Sequence, residues 1–155
     1  MDDSERGGGG RTAGRFELRR HTADVAVEAI GDSLGEAFAA AGAGFTAAHC
    51  EAVPVTGERF GFGVGADSRE ALLFDYLDEL IYQRDVRSVL PVDNDATVDA
   101  PADSNDGDVG WHLEGSARGI PLAAVHARDI KAVTYSEMAV EETDDGWRCY
   151  VVLDV

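Results

Sequence analysis

The sequence predicts an α+β fold, a single compact domain in which two helices pack on a mostly antiparallel sheet. Three observations lead there. The segments run strands, helix, strand, helix and then several strands, with no alternating βαβα run and no solenoid repeat. Two stretches carry helix-start residues ahead of apolar positions at helical spacing. The last part of the chain reads as two long strands, Ile130 to Val140 and Trp147 to Val155, joined through Glu141 to Gly146, where Asp145-Gly146 marks a tight turn. At 155 residues and 45% apolar content the chain is long enough to bury one core. The Gly-rich, charged stretch over residues 1–14 reads as a disordered tail, which leaves 15–155 as the domain.

Phe16 to Arg20 alternates as a first strand and Val25 to Ile30 resumes as a second, with the polar cluster His21-Thr22-Ala23-Asp24 between them. Ser33-Leu34-Gly35-Glu36 matches a capping box, in which the Ser side chain and the Glu three residues later satisfy free amides of a helix start. In the helix that follows, Leu34, Ala37, Phe38, Ala41 and Phe45 put one stripe toward a core. Gly35, Gly42 and Gly44 weaken that helix by roughly 1 kcal/mol each relative to Ala. Val53 to Val64, with Pro54 and several glycines, fits an irregular or edge strand.

Asp67-Ser68-Arg69-Glu70 opens the second helix, expected from about Ser68 to Arg84. Leu72, Leu73, Tyr76, Leu77, Leu80 and Ile81 form its broad apolar stripe. Asp75, Asp78 and Glu79 gather on another face, as ordinary solvated surface or as a patch for a basic partner. Val86 to Val92 and Ala96 to Ala100 read as short strands, and Pro101 to Asp108 as an exposed acidic loop. That loop lacks the glutamate and the flanking helices of an EF-hand. Trp111 to Gly115 is a further strand, and Pro121 to Arg128 suggests a helical turn around His126.

Trp147 to Val155 alternates at first and then runs almost continuously apolar, as a strand in the middle of a sheet does. It delivers two acidic groups to its tip, Asp154 and the α-carboxylate of Val155, and such charges need a cation, hydrogen bonds or water. Asp24 is a third acid near a strand start. Carboxylate oxygens are hard ligands suited to calcium, magnesium or manganese. From the residues alone, Asp24 also fits a turn residue bonding its own backbone, and Asp154 a solvated end.

The 30 acidic residues against 13 basic ones give a formal charge of −17, which disfavours strong direct binding to nucleic acid or to an anionic membrane. This acidic surplus, with basic residues that are nearly all Arg, fits a protein kept soluble in high salt. Lys131 is the single lysine. Either chance put it there or the position needs a compact ammonium rather than a planar fork. Cys50 and Cys149 form no CxxC pair and read as reduced. The four histidines share no metal-ligand spacing, and no nucleophile elbow, phosphate loop or dinucleotide fingerprint stands in a strand-to-helix context. With no long apolar run and no signal-like start, a cytoplasmic protein is expected.

His21-Thr22-Ala23-Asp24 opening an extended segment, Leu73 to Tyr82 on the second helix, Ile130 to Tyr135, and the ending Val151-Val152-Leu153-Asp154-Val155 together resemble the archease family, in the same order and over about Phe16 to Val155. The resemblance implies a compact α+β domain that is not a catalyst. Its partner would be the GTP- and manganese-dependent RNA ligase that joins tRNA exons, whose guanylylation and turnover the family promotes. Another reading of the family is a general chaperone or a modulator of a tRNA methyltransferase. The resemblance further implies a bound divalent cation, usually described as calcium, with ligands falling on Asp24, Asp154 and the terminal carboxylate of Val155. Lys131, and with it His21, are implied as contacts to a phosphate or to the partner. Where many family members follow Thr-Tyr with His, this chain has Ser136.

Overall fold

The computed structural model describes residues 14–21, 24–50, 52–101 and 110–155. Its elements are β1 (Arg15–His21), β2 (Asp24–Gly31), α1 (Leu34–His49), β3 (Glu58–Ala66), α2 (Arg69–Arg87), β4 (Val89–Asp99), β5 (Trp111–Pro121), a 3-10 turn (Leu122–Ala124), β6 (Ala132–Thr143) and β7 (Gly146–Asp154). The α+β expectation holds, and every strand pairing is antiparallel. The strands divide between two sheets, one ordered β1-β2-β7-β6 and the other β3-β5-β4. Both helices pack against both sheets and so form a middle layer. The tail over residues 1–13 and most of the acidic loop, 102–109, lie outside the described residues, as do Thr22 and Ala23.

Position in the middle layer explains α1. A helix at a surface buries one stripe, whereas a helix between two sheets is apolar all round. Residues on every side of α1 are buried, Phe38, Ala40, Ala41 and Phe45 fully. The glycines thus do more than weaken the helix. A Cβ at Gly42 would stand 2.5 Å from the Tyr76 hydroxyl, and one at Gly44 would stand 2.5 Å from a Val27 methyl, so each lets a neighbour approach the helix axis. Ser33 caps the helix as expected, its Oγ accepting from the Glu36 amide at 3.1 Å, while the Glu36 side chain reaches one residue further back than a capping box and accepts from the Asp32 amide at 3.1 Å.

α2 is capped by Ser68, whose Oγ accepts from the Ala71 amide at 3.1 Å. It runs three residues past Arg84 and stops at Ser88, which is left-handed at φ 55° and ψ 44°. Val86 and Arg87, expected in a strand, are therefore helical; β-branched character lost to a continuing helical stripe. The two short strands expected after it are one, β4, with a bulge at Asp93 (φ 58°) and Asn94. The bulge turns Asn94 inward, where its amide donates to Thr46 Oγ1 at 3.1 Å. β5 is longer than Trp111 to Gly115 and lies central in its sheet, its inward side chains kept small or aliphatic at Leu113, Gly115 and Ala117. β3 is an edge strand as expected. The turn around Pro121 is shorter than expected and leaves His126 outside it.

β7 is an interior strand, flanked by β2 and β6. Its Cys149, Val151 and Leu153 enter the core with Val27 and Ala29 of β2. β6 departs from regular pairing between Thr134 and Ala139, where Glu137 takes φ 63°. The displaced Tyr135 stacks on Phe74 of α2 with centroids 4.4 Å apart. The two sheets are also pinned at one edge of the sandwich: the Arg69 guanidinium lies 5.8 Å from the Trp111 ring of one sheet and 5.1 Å from the Trp147 ring of the other. Among the described residues no helix is long and apolar enough to cross a membrane.

Candidate functional site

The end of the larger sheet brings together residues from both ends of the chain. Asp24, first residue of β2, is the register partner of Asp154, last residue of β7. On the far side Asp154 pairs with Ala132, first residue of β6, and on the near side Asp24 pairs in backbone register with His21. Side chains alternate along a strand and directly opposed residues share a face. Since Val27, Ala29, Val151 and Leu153 face the helices, Asp24 and Asp154 project from the opposite face. Both are half-buried, and neither carboxylate has a hydrogen bond or ion pair to a described residue. Val155 follows with its side chain packed against the core.

Lys131 is not within the strand but immediately before it. Its amide donates to the Asp154 carbonyl at 2.8 Å, which ties the chain entering β6 to the acidic end of β7. Its side chain is exposed and follows the fully buried Ile130. Ser136 lies on the displaced part of β6, exposed, with its amide bonded to Thr134 Oγ1 at 3.2 Å.

The residues suit a hard cation. Two like charges directly opposite each other across a strand pair are mutually unfavourable, and a cation between them offsets that repulsion. The side-chain donors are carboxylate oxygens, the class that calcium, magnesium and manganese take. Among the described residues no three His, Cys, Asp or Glu side chains gather as a metal-binding group.

Two further groups bear on the site. On α2, burial and then the nearby Asp78 raise the Asp75 pKa above the usual carboxylate value. Glu79 accepts from Gln83 Nε2 at 2.6 Å, and Tyr82 and Val86 are exposed on the same helix. A buried network at the other end of α2 was not evident from the sequence. Arg84 Nη1 donates to the Ile130 carbonyl at 2.9 Å and lies 3.0 Å from His49 Nε2. Arg84 Nε donates to Asp85 Oδ1 at 2.9 Å. His49 Nδ1 stands 2.9 Å from the Phe45 carbonyl, so the neutral ring carries its proton there and presents Nε2 as an acceptor to Arg84. Burial, helped by the Arg84 charge, lowers the His49 pKa to about 4. The available signal was a charged residue one turn after Leu80, on the apolar stripe of the helix. Both cysteines are free, and burial pushes the Cys149 thiol up to about 12.

Two antiparallel sheets enclosing two helices, with two aspartates opposed at one sheet end, define a small α+β sandwich domain. Residues 16–155 match the Archease protein family. The archease of Archaeoglobus fulgidus is 31% identical over 143 residues, 91% of this chain and 99% of that protein. That of Pyrococcus abyssi is 27% identical over 146 residues, again 91% and 99%. The solution structure of Methanobacterium thermoautotrophicum protein 1598 superposes with a TM-score of 0.72 at 29% identity, covering 90% of this chain and 98% of that one. The chain belongs to the archease family.

Proposed function

We propose that this protein is an accessory factor, not itself a catalyst, for the GTP- and manganese-dependent RNA ligase that joins tRNA exons. It promotes guanylylation of the ligase and its repeated turnover. Asp24, Asp154 and the α-carboxylate of Val155 hold a divalent cation, calcium being the first candidate. The observation that carries this reading is the register pairing of Asp24 with Asp154, two carboxylates directly opposed across a strand pair and in no ion pair with a described residue. When bound, the ion supplies charge compensation and a fixed Lewis-acidic point. The chain's own residues orient the acidic end, with β7 and β2 setting the spacing of the two carboxylates and the Lys131 amide holding the Asp154 carbonyl. The Lys131 ammonium offers a point charge to a phosphate or to a carboxylate of the ligase. A formal charge of −17 speaks for a protein partner over direct RNA binding.

The test is ligase guanylylation with GTP and manganese in the presence of wild-type protein, Asp24→Ala, Asp154→Ala and a chain extended by one residue past Val155. The expected outcome is acceleration by wild type and loss of it in all three folded variants. Wild-type protein that leaves the rate unchanged would remove the reading. A second reading, a general chaperone or a modulator of a tRNA methyltransferase, draws on the acidic face of α2 at Asp75, Asp78 and Glu79, with Tyr82 exposed on the same helix. Suppression of aggregation of unrelated proteins, undiminished by Asp24→Ala, would favour it.

A further inference from the structure

The proposed site is made from strand ends, and one of its edges does not end freely. Ile130 is fully buried and Lys131 is exposed, so the main chain passes from core to surface in a single peptide unit just before β6 begins. That unit is held from both sides. The Ile130 carbonyl accepts from Arg84 Nη1 at 2.9 Å, and the Lys131 amide donates to the Asp154 carbonyl at 2.8 Å. The peptide group joining Ile130 to Lys131 thus links a guanidinium at the end of α2 to the backbone of Asp154.

Arg84 is itself fixed. Its side chain is nine-tenths buried, its Nε is held by Asp85, and His49 Nε2 of α1 takes a second hydrogen of Nη1. Asp129 stands 4.0 Å from Nη1 and Arg128 donates its amide to the His49 carbonyl at 2.7 Å, so the segment before Ile130 is tied to the same group. An arginine presents several donors in a rigid plane, and here they meet acceptors on three different segments of chain.

We infer that Arg84 is a positioning residue for the acidic end of the sheet: acting through the Ile130 carbonyl, it sets where Lys131 emerges and how Asp154 stands against Asp24. The inference rests on the reading of Asp24 and Asp154 as cation ligands. Supporting groups of this kind act through the residues they hold, and losing one commonly weakens metal binding about 10-fold or more. Lys in place of Arg keeps the charge but offers no planar fork, so it cannot hold His49, Asp85 and the Ile130 carbonyl together.

The experiment is calorimetric titration of the full chain with calcium chloride and with manganese chloride, together with amide hydrogen exchange, on wild type, Arg84→Lys, Asp24→Asn and the milder Asp85→Asn. Arg84→Lys is expected to weaken ion binding about 10-fold and to speed exchange of the Lys131 amide selectively, with amides of β3 and β5 unchanged. Asp85→Asn, which removes only an exposed carboxylate, is expected to act in the same direction by less and stands in if Arg84→Lys does not fold. Ion affinity within twofold of wild type and an unchanged Lys131 amide, whatever the fall in melting temperature, would overturn the inference. If wild type binds neither ion, the cation reading fails by itself. Selective loosening of Lys131 by Arg84→Lys would then still uphold the positioning role, and its absence would overturn that too.

Discussion

His49 shows how a single side chain can report on a whole end of the molecule. Its pKa is lowered to about 4 by burial against Phe45 and Arg84, while an unfolded chain would titrate it near 6.5. Between those values the unfolded state binds the proton and the folded state does not. Its contribution is therefore present in full above pH 6.5 and is lost as pH falls toward 4, by at most about 3 kcal/mol. Melting temperature followed from pH 7 to pH 4 should fall, and His49→Gln should flatten that fall. An unchanged slope in the variant would mean that other groups carry the acid sensitivity. Asp24 and Asp154 belong to the same scale. Each could be singled out in the sequence, one as an acid at a strand start and one as an acid at an apolar tip. Their pairing could not, because register between distant strands is set by the whole hydrophobic face and not by the two residues themselves.

At the scale of elements, α1 carries the sharpest expectation. Gly42→Ala would improve helix propensity by up to about 1 kcal/mol, yet the new methyl would meet the Tyr76 hydroxyl and Asn94. Overpacking should win, with a net loss of about 1–3 kcal/mol. The Tyr76 hydroxyl is fully buried with no hydrogen-bond partner among the described residues, so Tyr76→Phe should be neutral or stabilising. Combining the two substitutions should recover most of the loss, because the same oxygen causes both effects. Urea midpoints of the four proteins decide it, and additive losses would refute the contact. The helix starts were legible because capping is local: Ser33 with Glu36 and Ser68 ahead of Ala71 need only neighbouring residues. The surroundings of α1 were not, since alanine and glycine give little contrast between faces and the burying partners come from two sheets. The same limit split β4 in two, because a bulge looks like a break when the partner strand is unknown.

For the molecule as a whole, 30 acidic residues on a small domain imply self-repulsion in the compact state. Salt shortens the reach of such repulsion to about 10 Å at 0.1 M and about 3 Å at 1 M. The melting temperature should therefore rise as potassium chloride is raised from 0.1 M toward 2 M, and a fall over that range would contradict the electrostatic account. The α+β class was legible from element order, but division into two sheets was not. The edge strand β3 pairs only with β5, more than forty residues later by the register of Glu58 with Gly119 and Ala66 with Trp111, and nothing local marks that choice.

The arginine wedged between Trp111 and Trp147 gives the sandwich a built-in optical gauge. These are the two tryptophans of the chain, one per sheet, and both look onto the same guanidinium. Intrinsic fluorescence excited at the red edge comes from these two rings, so it changes when the surroundings of either ring or its distance from the guanidinium changes. Titrating an ion or a partner while watching that emission would separate an event confined to one sheet end from one that slides the two layers apart.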